Sequence, residues 1–117
     1  MISPLSSTVS ALQAYKSRME ATSNNIANIT TAEFKKSQAV LKEGANGDVQ
    51  VHVTLSDTAG QPYQAFEDNQ RHEKQTSNVE LTKELPQMMA TQHAYNANMK
   101  VIQTQDEILG STLNIVG

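Results

Sequence analysis

The sequence predicts a mainly α chain: two long terminal helices pairing as an antiparallel coiled coil, with a small β-hairpin insert between them. Three observations predict it. Apolar residues recur every three and four positions over both ends of the chain, the middle switches to strict alternation, and glycine-containing turn signals bracket that alternating run. The expected divisions are residues 1–29 for the first helix, 30–76 for the insert and linker, and 77–117 for the second helix.

From Leu5 to Ile29, one apolar column reads Leu5, Leu12, Met19 and Ile26, and its companion reads Thr8, Tyr15, Thr22 and Ile29. Spacing this strict predicts a helix-pairing seam rather than a broad core face. Ser3 is the expected N-cap and Pro4 falls in the first turn, where its missing N–H costs nothing. At about 1.5 Å per residue, such a helix is nearly 40 Å long.

In the middle, Val49, Val51, Val53 and Leu55 alternate with Gln50, His52 and Thr54, the signature of a half-buried strand. Phe34 to Lys42 is its expected hairpin partner, joined through Gly44-Ala45-Asn46-Gly47. Ala59-Gly60-Gln61-Pro62 is a second turn signal. The charged and polar stretch Tyr63 to Gln75 reads as strand remnant and linker.

The heptad returns beyond residue 80. Leu81, Met88, Tyr95, Ile102, Leu109 and Val116 form one column, and Leu85, Gln92, Met99, Asp106 and Leu113 the other. Gln92 and Asp106 are polar seam positions of the kind that set register. Thr82 is the expected N-cap, leaving Pro86 in the first turn; a start at the capping-box pattern Ser77-x-x-Glu80 would put Pro86 inside the helix. Val9, Val101 and Ile108 lie beside the main seams, as a second stripe for other subunits.

Composition sets the energetic problem. Leu, Ile, Val and Phe number 24 of 117 residues, while Ser, Thr, Asn and Gln number 41. The apolar share is close to the roughly 20% below which a chain struggles to bury a core. A core this lean is expected to be completed by a partner. Net charge is −3 with no basic block, so nucleic acid and anionic membrane surfaces are not expected partners. No apolar run approaches the 18 or more residues of a membrane span, and Met1-Ile2-Ser3-Pro4 does not resemble a secretory leader. With no cysteine, disulfides and thiolate metal sites are excluded.

Catalytic chemistry is not expected. His52, His72 and His93 are isolated and form no metal-ligand spacing, and Glu20, Glu84, Asp106 and Glu107 read as solvated helix residues. There is no glycine-rich phosphate cradle and no nucleophile elbow. No catalytic residue, metal ligand or cofactor is therefore expected.

Ser23-Asn24-Asn25-Ile26-Ala27-Asn28 is unusual, because asparagine competes with the helix for its own backbone hydrogen bonds. Two readings stand: a helix end fraying into a loop, or amides that fix register across a subunit contact.

This stretch, continued by Ile29-Thr30-Thr31-Ala32-Glu33-Phe34-Lys35, resembles the N-terminal signature of bacterial flagellar basal-body rod and hook proteins. Ser77-Asn78-Val79-Glu80-Leu81, Ala94-Tyr95-Asn96-Ala97-Asn98-Met99-Lys100-Val101-Ile102 and Asp106-Glu107-Ile108-Leu109-Gly110-Ser111-Thr112-Leu113 resemble the family's closing helix. The short insert and the closing helix are most similar to the C-type proximal rod protein. Where the family loop usually has Pro-Gly, this chain has Ala32-Glu33, and His93 stands where a basic residue commonly precedes Ala-Tyr.

The resemblance implies a structural rod subunit, exported unfolded by the flagellar type III apparatus and assembled helically in the periplasmic rod. Its implied partners are copies of itself, other rod subunits, the export apparatus and the rings around the rod. The expected subunit-packing seam is Leu12, Met19, Ile26, Leu85, Tyr95, Met99, Ile102 and Leu109. The expected polar register contacts are Asn24, Asn25, Asn28 and Asn98. A cytosolic coiled-coil adaptor and a small enzyme are the rival classes.

Overall fold

The heptad stretch at the N-terminus forms α1 (Pro4–Ala27), and the C-terminal one forms α2 (Leu81–Val116). Between them lie β1 (Ser37–Glu43), β2 (Val49–Leu55), β3 (Pro62–Glu67) and β4 (Gln70–Gln75). This computed structural model describes residues 4–117, so the cap expected at Ser3 lies outside the described residues. The protein is a rod about 80 Å long and 25 by 22 Å across.

The expected fold class is corrected. The chain is a mixture of helix and sheet, two helices flanking two small antiparallel sheets, and not a coiled-coil pair carrying one hairpin. One reason lies in Tyr63 to Gln75, where β3 and β4 pair as a second hairpin instead of forming a linker. Asp68 and Asn69 form its two-residue loop with φ of 50° and 59°. Two consecutive left-handed residues are the type I′ geometry that matches strand twist, and Asp and Asn tolerate it better than most side chains. The other reason lies in the helix interface. A coiled coil buries large residues at its seam, whereas the buried residues here are Ala11, Ala14, Thr22 and Asn25 on α1 and Glu84 and Thr91 on α2.

The first hairpin forms between the expected segments. β1 and β2 pair antiparallel with Glu43 opposite Val49 and Ser37 opposite Leu55. Gly47, at φ 79°, supplies the left-handed turn residue, and the Gly44 N–H donates to the Asp48 carbonyl at 2.8 Å. This hairpin packs on α1. Ser7 Oγ donates to the Gly47 carbonyl at 3.1 Å, and Ser10 Oγ accepts from the Val49 N–H at 3.0 Å. Ala39 is its buried residue, while Val53 and Leu55 at the far end of β2 stay exposed. The second hairpin packs on no other element.

α2 begins earlier than expected. Glu80, not Thr82, occupies the N-cap, and its carbonyl accepts from the N–H groups of Lys83 and Glu84, both at 3.0 Å. Pro86 is accordingly inside the helix. Ser77 does not form a capping box; its Oγ accepts from the Val79 N–H at 3.2 Å, closing a local turn.

The ends of α1, β2 and β4 and the starts of β1 and α2 converge on one joint, built from two buried asparagines. Asn25, at the end of α1, pairs with Ser37 as a neighbouring strand would: its Oδ1 accepts the Ser37 N–H at 2.9 Å and its Nδ2 donates to the Ser37 carbonyl at 2.8 Å. The same Nδ2 donates to Glu84 Oε2 on α2 at 3.3 Å. Asn78, just before α2, accepts the Lys36 N–H at 2.7 Å and donates to the carbonyls of Ser56 and Thr58 at 3.1 and 2.9 Å. Strand β4 is tied in through the Glu33 N–H, which donates to the Gln75 carbonyl at 2.8 Å. Such a joint needs hydrogen bonds rather than bulk, because it consists of chain segments whose ladders have just ended.

Two backbone positions at the joint are tight. Glu33 sits at φ 60°, in the left-handed region that penalises a side chain by roughly 1–2 kcal/mol. A Cβ on Gly60 would come within 1.9 Å of the Thr76 carbonyl oxygen, so only glycine lets these strands of chain approach.

Asn78→Ala strands three backbone groups and should destabilise the chain by about 2–3 kcal/mol in urea unfolding followed by circular dichroism. Asn24→Ala, at an exposed position, should cost about 0.5 kcal/mol or less in the same assay. Glu33→Gly should stabilise by up to about 1 kcal/mol, since it relieves the left-handed strain. Gly60→Ala should destabilise by about 1–3 kcal/mol and loosen amide exchange protection at Gln61 and Thr76 before the rest of the second hairpin.

Candidate subunit-packing surface

The two helices run antiparallel, with Asn25 of α1 against Glu84 of α2 at one end and Leu5 beside Met99 and Ile102 toward the other. Their interface follows a heptad, displaced by one residue from the apolar columns. On α1 the residues placed against α2 are Tyr15, Arg18 and Asn25, and Ala11, Ala14 and Thr22 are buried on the same helix. On α2 the inward positions are Glu84, Thr91, Asn98 and Gln105, flanked by Met88, Tyr95 and Ile102. Small and polar side chains therefore fill the line where the helices meet. A one-residue step turns a helix by about 100°, so the larger apolar residues are carried to the flank.

The expected seam residues divide accordingly. Leu12, Met19, Ile26, Tyr95 and Ile102 are half-buried, whereas Leu85, Met99 and Leu109 are exposed. Beyond the reach of α1 the exposure rises: Leu113 is 71% exposed, Ile115 86% and Val116 82%. At roughly 1.5 Å per residue α2 is about 54 Å long against about 36 Å for α1, which accounts for the overhang. A groove of about 690 Å³ opens where the overhang leaves α1, lined by Leu5, Met99, Ile102, Asp106, Ile108 and Leu109. A contiguous apolar surface of this kind on a small chain marks an interaction site.

The four asparagines have different fates. Asn25 is 1% exposed, and its hydrogen bonds all lie within the chain. Asn28 closes α1: its Nδ2 donates to the carbonyl and Oδ1 of Asn24, and its own Oδ1 accepts from Thr31 Oγ1. Asn24 is exposed, and Asn98 donates to the Ala94 carbonyl one turn back. The asparagine run thus ends a helix at Ala27 and also anchors β1.

Sequence reasoning passed over Arg18, Asn78 and Gln105. Arg18 and Gln105 belong to the inward columns, whose polar character hides them from any apolar template. The usable signal was their heptad spacing from Ala11, Asn25, Thr91 and Asn98. Arg18 Nε and Gln105 Oε1 are buried and without a hydrogen-bond partner among the described residues.

Electrostatics elsewhere are local and exposed. A hydrogen bond from Lys74 holds the Glu67 carboxyl below its usual range, and one from Lys83 at 2.7 Å does the same for Glu80. No group of three or more His, Asp or Glu side chains able to hold a metal occurs among the described residues. Among the described residues no helix is long and apolar enough to cross a membrane.

Two family models match the two ends of the chain. Residues 5–35 match that of the flagella basal body rod protein, and residues 75–115 match that of the flagellar basal body rod FlgEFG protein C-terminal region. Together they take in α1, the asparagine run, Asn78 and nearly all of α2. The chain is also 34% identical over 90 residues to the flagellar hook protein FlgE of Escherichia coli (strain K12), an alignment covering 74% of this chain. It spans only 22% of that protein's length. With both terminal signatures present in order on the two helices that carry the exposed apolar surface, the chain belongs to the flagellar rod and hook protein family.

Proposed function

We propose that this chain is a structural subunit of the flagellar basal-body rod, in its proximal part, that is exported through the flagellar type III apparatus and assembles helically into the torque-transmitting shaft. Its role is mechanical rather than enzymatic. The observation that carries this reading is the unburied apolar flank of the helix pair, on the two segments that match the family. Leu85, Met99, Leu109, Leu113 and Val116 are large side chains left in water. Each contributes about 1.5–3 kcal/mol once a neighbour covers it. A head-to-tail contact whose rotation does not close builds an open filament, as a shaft requires.

The proximal position is supported by the small size of the insert: two hairpins of seven- and six-residue strands lie between the terminal helices. The hook protein relative favours a second reading, another axial subunit of the same family. In either case Leu12, Met19, Ile26, Leu85, Tyr95, Met99, Ile102 and Leu109 form the packing surface toward neighbouring copies and other rod subunits. Asn24, exposed at the end of α1, is the best placed of the four asparagines for a polar contact between subunits. The hairpins face outward, toward other rod subunits or the surrounding periplasmic rings.

Ile102→Asp should leave the isolated chain folded, since the side chain is only half-buried, yet abolish incorporation into basal bodies and swimming. Normal swimming with the variant in isolated basal bodies sinks the packing surface. Locating the chain along the axis of a basal body distinguishes the proximal rod from other axial positions. A discrete stable dimer in sedimentation, with no larger species, would instead favour a coiled-coil adaptor.

A further inference from the structure

Each hairpin has two strand edges, and the hydrogen bonds decide which of them are open. In the first hairpin the Ser56 N–H donates to the Lys36 carbonyl at 2.9 Å, and the Gly44 N–H to the Asp48 carbonyl at 2.8 Å. Those rows set the phase of the ladder, so the odd-numbered residues of β1 and β2 turn their backbone N–H and C=O groups outward. On β1 the outer edge is closed, because Asn25 holds both groups of Ser37 and Ala39 is buried. On β2 it is closed at Val49, whose N–H donates to Ser10 Oγ. Helix α1 therefore crosses the hairpin obliquely, from the edge of β2 near the turn to the edge of β1 at the open end. The outward backbone groups of Val51, Val53 and Leu55 are left without a partner among the described residues, and Val53 and Leu55 are 57% and 70% exposed. Only β1 and α1 pack on β2. The strand contains no Asp, Glu, Lys, Arg or Pro and no bulge, the devices that normally protect an edge.

The second hairpin carries the counterpart. The Thr76 N–H donates to the Gln61 carbonyl at 2.9 Å, so Pro62, Gln64 and Phe66 of β3 turn their backbone groups outward. Phe66 is 69% exposed, and no other element packs on this hairpin. The outer edge of β4 is unsuited to pairing, since it presents Arg71 and Glu73 and its Gln75 carbonyl already accepts the Glu33 N–H. We propose that β3 of a second copy adds antiparallel to the open edge of β2, joining the hairpins of neighbouring subunits. This inference rests on the rod reading and names the contact that its outward hairpins make. One register uses the whole of both edges, with Phe66 opposite Val51, Gln64 opposite Val53 and Pro62 opposite Leu55. Both edges stop together, because the next row sets the turn residue Asp68 against Val49, whose N–H is already used. Every N–H in those rows then has an acceptor, and only the Leu55 carbonyl lacks a donor, because Pro62 has no N–H. Opposed residues share a face, so Phe66 and Pro62 cover Val51 and Leu55. In a single molecule β2 and β3 lie in separate sheets. Two different edges are joined, so the contact is head-to-tail and can propagate. Strand pairing also selects one position, since a one-residue slip turns the apolar side chains to the other face.

The test uses the absence of native cysteine. The full chain carrying Val53→Cys and Gln64→Cys is expressed in flagellated cells and oxidised in isolated basal bodies. Opposed residues of a bonded antiparallel row have Cα atoms about 5.5 Å apart, within reach of a disulfide. The expected result is a ladder of covalent multimers on denaturing gels, absent from either single variant. A dimer from a single variant means that an edge pairs with itself, and a disulfide closed within one chain means that β2 takes its own β3. Either result overturns the pairing, as do intact basal bodies that contain the double variant and give no ladder; the rod reading stands in all of these cases. Absence of the wild-type chain from basal bodies overturns the rod reading itself. Separately, Val53→Pro removes one outward N–H without touching the ladder to β1. It should leave the circular dichroism of the chain unchanged and cut its incorporation into basal bodies about tenfold. Arg71→Pro makes the same change on the unused edge of β4 and should incorporate at the wild-type level. Equal incorporation of the two variants overturns the pairing.

Discussion

The fold depends on two buried amides. Asn25 and Asn78 hold consecutive residues of one short segment, since the first takes the N–H of Ser37 and the second that of Lys36. Around that segment α1 ends, β1 begins, β2 and β4 finish and α2 starts. Neither hairpin would be stable alone, as two strands bury too little surface. With both amides satisfied, the first hairpin becomes a fixed attachment of the helix pair. An apolar side chain at either site would leave backbone donors and carbonyls unpaired, which costs more than the hydrophobic gain returns.

The helix pair has two chemically distinct faces. Its internal line is small and polar, which lets the helices approach without consuming the large apolar residues. Those residues are displaced to the flank and to the overhanging end of α2. The chain therefore holds together by hydrogen bonds and close approach, and leaves many of its large apolar side chains exposed. Weak self-sufficiency suits a subunit that is threaded through an export channel and completed on assembly, which is the role proposed for it.

The heptad was legible in the sequence but its phase was not. Leu12, Met19 and Ile26 dominate any apolar template, while Asn25, one residue before Ile26, bonds Glu84 of α2, and Arg18, one residue before Met19, shares a groove with Thr91. Templates weight side chains by hydrophobicity; packing selected them by size and hydrogen bonding. The first hairpin was legible because Val49 to Leu55 alternate and Gly44 and Gly47 flank the turn. The second was not, because Tyr63 to Gln75 carry little apolar alternation and their turn uses Asp68-Asn69 without a glycine. The asparagine run was legible as exceptional, although its use, an anchor for β1 inside the same chain, appeared only in three dimensions.

The sequence by itself determined that both ends are helical, that a strand pair lies between them, and that the family signatures occur in order. Each of these is a local property, written in periodicity and in residues a few positions apart. Only the tertiary structure decided which helix face turns inward, what the asparagines hold, and which strand edge stays open. Those depend on contacts between residues as distant as Asn25 and Glu84, and a single side chain's partner cannot be read from its neighbours in the chain. The lean apolar content has the same physical origin: the joint is made of hydrogen bonds, and the large side chains are spent at the surface.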